Sequence, residues 1–148
     1  MKIAEKVTFD IMIRERWEEA KKKGMFRYML NIQSSKILDG KYQFLAQLNV
    51  DRRNRRLPEN IMSMKQPFDD KRFNFLKLVP EEEIMTLNSK DEEDIIAINA
   101  SPIEYGHSLL LPQRCKKLPQ VVTKYSLYKA IELFSLSSSP IWVHMLAP

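Results

Sequence analysis

A chain of 148 residues and 17.5 kDa, with 44% hydrophobic and 29% charged residues, predicts one domain with an ordinary core and excludes compositionally disordered and fibrous classes. Three glycines against eight prolines argue against a glycine-rich phosphate loop, and a lone cysteine, Cys115, excludes an internal disulfide and argues against structural zinc. The net charge of +5 is local: without Arg52, Arg53, Arg55 and Arg56 the chain holds 20 basic residues against 19 acidic ones, so an anionic partner is expected at that spot and not along a basic face.

In chain order, Phe9, Met12, Ile13, Trp17 and Ala20 recur at three- and four-residue spacing before a Lys21-Lys22-Lys23 run and Gly24, which predicts an amphipathic helix over residues 9–23 with Thr8 as its cap. Tyr42, Phe44, Ala46, Leu48 and Val50 alternate with polar residues, which predicts a half-buried strand over 42–50. The arginine run with Pro58 reads as a loop. Residues 72–79, RFNFLKLV, are rich in aromatic and aliphatic side chains and predict a second strand, ended by Pro80 and the acids that follow. Residues 84–87 predict a short strand, 94–100 (DIIAINA) a stronger one, and 107–111 its hairpin partner across Ser101-Pro102 and Gly106. Leu127, Ala130, Ile131 and Phe134 then mark a helix.

Helix, antiparallel strands and helix in that order predict an α+β fold. From Leu136 onward, LSSSPIWVHMLAP has no periodicity, charge or capping logic. The uncharged stretch from Leu133 to Pro148 contains four serines and two prolines and is too short and polar to span a membrane; the N-terminus has no continuous signal-peptide core. The expectation is a cytoplasmic protein.

Three blocks, FLAQLNVDRRNRRLP, QPFDDKRFNFLKL and INASPIEYGHSLLLP, resemble the GDP-hexose phosphorylases, a family that joins animal GDP-D-glucose and plant GDP-L-galactose enzymes within the histidine triad superfamily. The resemblance implies phosphorolysis of a GDP-hexose. A histidine of an H-x-H-x-H segment attacks the phosphorus next to guanosine, hexose 1-phosphate leaves, and inorganic phosphate takes the guanylyl group to give GDP. It implies GDP-hexose and inorganic phosphate as partners, and no cofactor or metal. The chain has only His107 and His144, 37 positions apart, and no H-x-H-x-H segment, so no catalytic residue is assigned. The expectation is an incomplete histidine-triad-like antiparallel sheet with flanking helices. Residues 1–136 would form the N-terminal part of the domain and 137–148 a divergent tail, leaving a sheet edge and one face of the last helix uncovered.

By the same resemblance Asn99 stands where a ribose-binding residue, commonly an acid, precedes the Ser-Pro turn, and His107 matches a histidine beside the triad. Phe73, Phe75 and Leu76 are candidates around guanine. The arginine group has a physical reading of its own: guanidinium matches phosphate oxygens bidentately, so Arg52, Arg53, Arg55 and Arg56 are phosphate-binding candidates. Each has a plainer alternative: a turn-forming Asn99, a packed His107, core aromatics at Phe73 and Phe75, and a solvated loop or basic address tract for the arginines. Cys115 sits between Arg114 and Lys116, which is expected to lower its thiol pKa, yet it has no base or acid partner in the sequence and is read as inert.

Three functions follow: a GDP-hexose phosphorylase of which this chain is an incomplete, inactive form, a non-catalytic guanine-nucleotide binder, or a basic nucleic-acid-binding module working through Arg52 to Arg56. The near-neutral remainder of the chain argues against the third.

Overall fold

The computed structural model describes residues 3–54, 67, 69–87, 93–118 and 121–138. The elements are α1 (Ile3–Lys22), β1 (Ile32–Ile37), β2 (Leu45–Asn49), β3 (Glu83–Thr86), β4 (Ile95–Ile98), β5 (Ser108–Leu111) and α2 (Lys124–Leu136), with 3-10 turns at Val50–Asn54, Phe75–Lys77, Pro80–Glu82 and Arg114–Lys116. Two helices and two small open antiparallel sheets, β1-β2 and β3-β4-β5, give the expected α+β class. Among the described residues no helix is long and apolar enough to cross a membrane.

Helix α1 begins at Ile3, so Thr8 lies inside it and does not cap it. The good helix formers Ala4, Glu5 and Lys6 carry the helix upstream of the expected start. Its other end is where Gly24 predicts: Gly24 takes φ 72°, Met25 N–H reaches the Ala20 carbonyl at 3.1 Å, and Gly24 N–H reaches that of Lys21 at 3.0 Å. This is a Schellman stop, which needs a left-handed residue that glycine supplies without a Cβ penalty. Phe9, Ile13, Trp17 and Ala20 form the buried stripe and pack on Ile84, Ile96 and Ile98. Each large apolar side chain so buried contributes about 1.5–3 kcal/mol.

Strand β4 is buried at every position because both faces of the three-stranded sheet are covered. Ile96 and Ile98 face the α1 cluster. Ile95 and Ala97, with Leu109 and Leu111 of β5, form a second cluster against which Phe75 and Leu78 pack. The β4-β5 hairpin pairs Ile95 with Leu111 and Ile98 with Ser108, as the Ser-Pro and Gly punctuation predicts.

Two expected strands need correction. The strand expected over 42–50 is shortened to Leu45–Asn49 and is exposed, not half-buried, as is its partner β1, a strand the sequence reading omits. Gln43 adopts φ 46° in the hairpin turn, which stops the ladder, and nearly every side chain of the two-stranded ribbon is exposed. Residues 72–79 form no strand. The Asn74 carboxamide accepts from Leu76 N–H at 3.1 Å and caps the 3-10 turn Phe75–Lys77, while the Lys77 ammonium donates to the Arg72 carbonyl at 2.7 Å. These local bonds occupy groups that a strand ladder would use.

Helix α2 starts at a reciprocal cap, with Ser126 N–H on Thr123 Oγ1 at 3.0 Å and Thr123 N–H on Ser126 Oγ at 2.8 Å. Its orientation differs from the apolar pattern. Ser126 and Ala130 are buried and Leu133 and Leu136 pack on the α1 cluster, whereas Leu127, Ile131 and Phe134 are exposed, the last two above 60%. Polar tethers set this rotation. Tyr125 O–H donates to Asp94 Oδ2 at 2.6 Å, and Lys129 stands 3.8 Å from the same oxygen. Ser137 Oγ and Ser138 Oγ donate to the buried Asp10 carboxylate of α1 at 2.6 and 2.5 Å. The tail from residue 139, with His144, lies outside the described residues.

Candidate functional site

The connection between β4 and β5 is held by directed hydrogen bonds. Asn99 N–H continues the ladder to the His107 carbonyl at 3.1 Å, and the Asn99 carboxamide closes an Asx turn by accepting from Ser101 N–H at 2.9 Å. His107 is 7% exposed, and its Nδ1 accepts from Ile103 N–H at 3.1 Å. Asn99 Nδ2 and His107 Nε2 lie 3.2 Å apart. A neutral imidazole offers one acceptor nitrogen, so a single tautomer serves either Ile103 N–H at Nδ1 or the Asn99 amide at Nε2, not both. Asn99 and His107 extend the pairs Ile95/Leu111 and Ala97/Leu109, which puts both on the face that holds Phe75.

Gly106, at φ 76°, turns the chain into His107, and Pro102 is fully buried in the same loop. The loop is clamped from the N-terminal segment. Arg27 N–H bonds the Ala100 carbonyl at 2.8 Å, and the buried Tyr28 hydroxyl donates to the Pro102 carbonyl in a short hydrogen bond while accepting from Arg52 Nη1 at 3.1 Å. Glu104 accepts from Gln47 of β2 at 2.9 Å, which ties the exposed ribbon to the loop.

The predicted site residues therefore divide. Asn99 and His107 meet. Phe75 is half-buried on their face of the sheet, with Phe73 set edge-on at 5.5 Å between ring centroids; Phe73 and Leu76 are themselves exposed, at 40% and 39%. Their 3-10 turn replaces the strand on which the guanine reading set them. Arg52 reaches the loop through Tyr28, Arg53 is exposed, and Arg55 and Arg56 lie outside the described residues. Tyr28 and Arg27 hold the loop and were passed over by the sequence reading: they sit between Gly24 and β1 in MFRYML, a stretch with no periodicity to read. Their one signal is two aromatics directly after a helix stop.

The far side of the hairpin is held by charge. Arg114 pairs with Glu83 and grips Glu93 with two nitrogens, at 2.8 and 3.2 Å. Burial works against the guanidinium charge, but the two carboxylates outweigh it and raise the Arg114 pKa further. Cys115 corrects an expectation. Its thiol donates to Glu93 Oε2 at 2.8 Å, and that hydrogen bond raises its pKa despite the neighbouring Arg114.

A family model described as "GDPGP1-like, N-terminal domain" matches residues 8–144. The chain belongs to this family. It is 42% identical over 134 residues to GDP-D-glucose phosphorylase 1 of Danio rerio and 38% identical over 141 residues to GDP-D-glucose phosphorylase 1 of Homo sapiens, each covering 89% of this chain. It is 34% identical over 156 residues, 90% of this chain, to GDP-L-galactose phosphorylase 2 of Arabidopsis thaliana. These matches take up 39%, 37% and 36% of the relatives, so the chain spans less than two-fifths of their length. No solved structure matches it.

Proposed function

We propose that the chain is the guanine-nucleotide-binding N-terminal part of a cytoplasmic GDP-hexose phosphorylase of the histidine triad type. In the whole reaction, a triad histidine nitrogen displaces hexose 1-phosphate from the guanylyl phosphorus. An oxygen of inorganic phosphate then displaces that nitrogen, giving GDP. The observation that carries the reading is the meeting of Asn99 and His107 side chains, 3.2 Å apart on one sheet face, at the loop where the family resemblance expects ribose contacts.

In this reading the Asn99 amide and the His107 ring present donors to ribose hydroxyls. Phe75, with Phe73 and Leu76 beside it, offers a ring and an aliphatic edge to guanine. Arg52, with Arg53, Arg55 and Arg56 following in sequence, supplies cations for the diphosphate, and Tyr28 fixes the Arg52 end of that group against the Pro102 carbonyl. The 148-residue polypeptide has no H-x-H-x-H nucleophile, so it binds without turnover.

Titration calorimetry of the polypeptide with GDP tests the binding. Saturable binding is expected, about tenfold weaker in Asn99→Ala and His107→Ala; no binding of GDP overturns the reading. Chromatography of a mixture with GDP-glucose and phosphate is expected to show no GDP formed, and its formation overturns the claim of inactivity.

A further inference from the structure

Helix α2 turns a row of apolar side chains outward. Leu127, Ile131 and Phe134 stand at i, i+4 and i+7 and are 45%, 68% and 61% exposed, and Tyr128, one turn from Ile131, is 66% exposed. Single apolar side chains are ordinary on a protein surface, but a contiguous row along a helix marks a contact surface. The helix is not free to roll this row inward, because Tyr125 and Lys129 hold it at Asp94 and Ser137 holds it at Asp10.

The chemistry of the row narrows its occupant. No charge lies in it, and the two charges nearest Ile131 in sequence, Lys129 and Glu132, pair with each other at 3.0 Å. A charged peptide therefore finds nothing there to select it. A helix that lies on a membrane lines its polar face with several Lys and Arg. Here α2 offers only Lys124 and Lys129, and the second is turned to Asp94. The mate must be uncharged, apolar and as long as this 13-residue helix, about 20 Å. A second copy carries such a row by construction.

We propose that α2 pairs with α2 of a second copy of this chain, antiparallel about a two-fold axis at Ile131. In that register Ile131 meets its own counterpart and Phe134 lies against Tyr128 of the second copy. Lys124 comes over the C-terminal end of the opposing helix, where a cation meets the negative end of the dipole. A parallel pair would set the two Lys124 ammonium groups side by side instead. Four side chains about three-fifths exposed hold on the order of 500 Å² per copy. The pair then buries about 1,000 Å², the threshold of a specific interface. Such an area suits a dissociation constant of roughly 10–100 μM, so at about 1 μM the chain is a monomer with the row exposed, and unfolding measured there reports the single chain.

Sedimentation equilibrium of the 148-residue chain tests this, with a monomer expected at about 1 μM and a dimer prevailing at about 200 μM. Ile131→Glu, on the exposed face, is expected to keep the circular dichroism spectrum of the parent and to stay monomeric throughout. Cross-linking reads the register. In a Cys115→Ser background, Ile131→Cys lies on the axis and is expected to oxidise to a disulfide-linked dimer, whereas Lys124→Cys is too far from its counterpart to do so. A parent that is monomeric at the highest concentration overturns the proposal, as does a dimer that Ile131→Glu leaves intact. Cross-linking at position 124 equal to that at 131 overturns the antiparallel register.

Discussion

Asp10 fastens the two ends of the described chain to each other. Burial of its carboxyl raises the pKa, but the hydroxyls of Ser137 and Ser138, the Ser138 N–H and the Arg14 charge together outweigh it, so the value falls below the ordinary 3.8. A carboxylate held below its unfolded value stabilises the fold above that value and loses the contribution as pH falls through the folded one. Asp10→Asn is therefore expected to lower stability by about 1–3 kcal/mol at pH 7. The gap from the parent should close in thermal melts run progressively below about pH 4; a gap that persists at low pH contradicts the assignment. At Cys115 the same reasoning runs the other way. The Glu93 carboxylate accepts from the thiol and raises its pKa, so Glu93→Gln is expected to speed iodoacetamide labelling at pH 8 by roughly threefold or more. An unchanged rate would mean that the bond does not hold the thiol in solution.

Among the elements, the β4-β5 hairpin was legible because two apolar runs are bounded by Ser-Pro and Gly, and each signal points to the same turn. Helix α2 was legible as a helix but not in its rotation. Leu127, Ile131 and Phe134 form as good an apolar stripe as Ala130, Leu133 and Leu136, and what chooses between them is polar: Tyr125 and Lys129 reaching Asp94, which no periodicity records. The 72–79 segment misled for a related reason, since its aromatic content reads as a strand while one carboxamide, Asn74, commits the backbone to a turn. At the site, the hairpin expected across Ser101-Pro102 and Gly106 sets Asn99 opposite His107, whereas the Tyr28 clamp, formed across 74 positions, has no turn or periodicity signal. If Asp94 sets the rotation of α2, Asp94→Ala is expected to lower stability by about 3 kcal/mol, because Gln113 N–H and Tyr125 O–H lose a fully buried acceptor, while Lys129 keeps its pair with Glu132 at 3.0 Å. Phe134→Ala, on the exposed face, is expected to stay within about 0.5 kcal/mol of the parent. Urea midpoints of the two variants decide this; equal losses would show that the exposed face is packed in solution.

Among the described residues the three-stranded sheet lies between unlike covers. A long helix, with part of α2, closes one face, and a short 3-10 turn with Phe75 and Leu78 rests on the other. The local charge follows the same division. The acidic and basic residues around Arg114 satisfy each other at the sheet, whereas Arg52, the first of the arginines that carry the net excess in the sequence, joins the clamp on the Asn99–His107 loop through Tyr28.

The pairing of α1 with β4 also orders events during synthesis. Phe9, Ile13, Trp17 and Ala20 leave the ribosome first, yet the isoleucines that cover them are about 80 residues further along, which at 5–20 residues per second is a wait of roughly 4–16 s. Helix–coil exchange takes about a microsecond, so the segment samples its helix repeatedly throughout that interval, without the tertiary packing that gives a helix most of its stability. The nascent chain thus presents the α1 stripe with only the nearby Met25, Phe26 and Leu30 to pack on it, and chaperone occupancy of α1 should rise with translation and fall once Ile96 and Ile98 emerge.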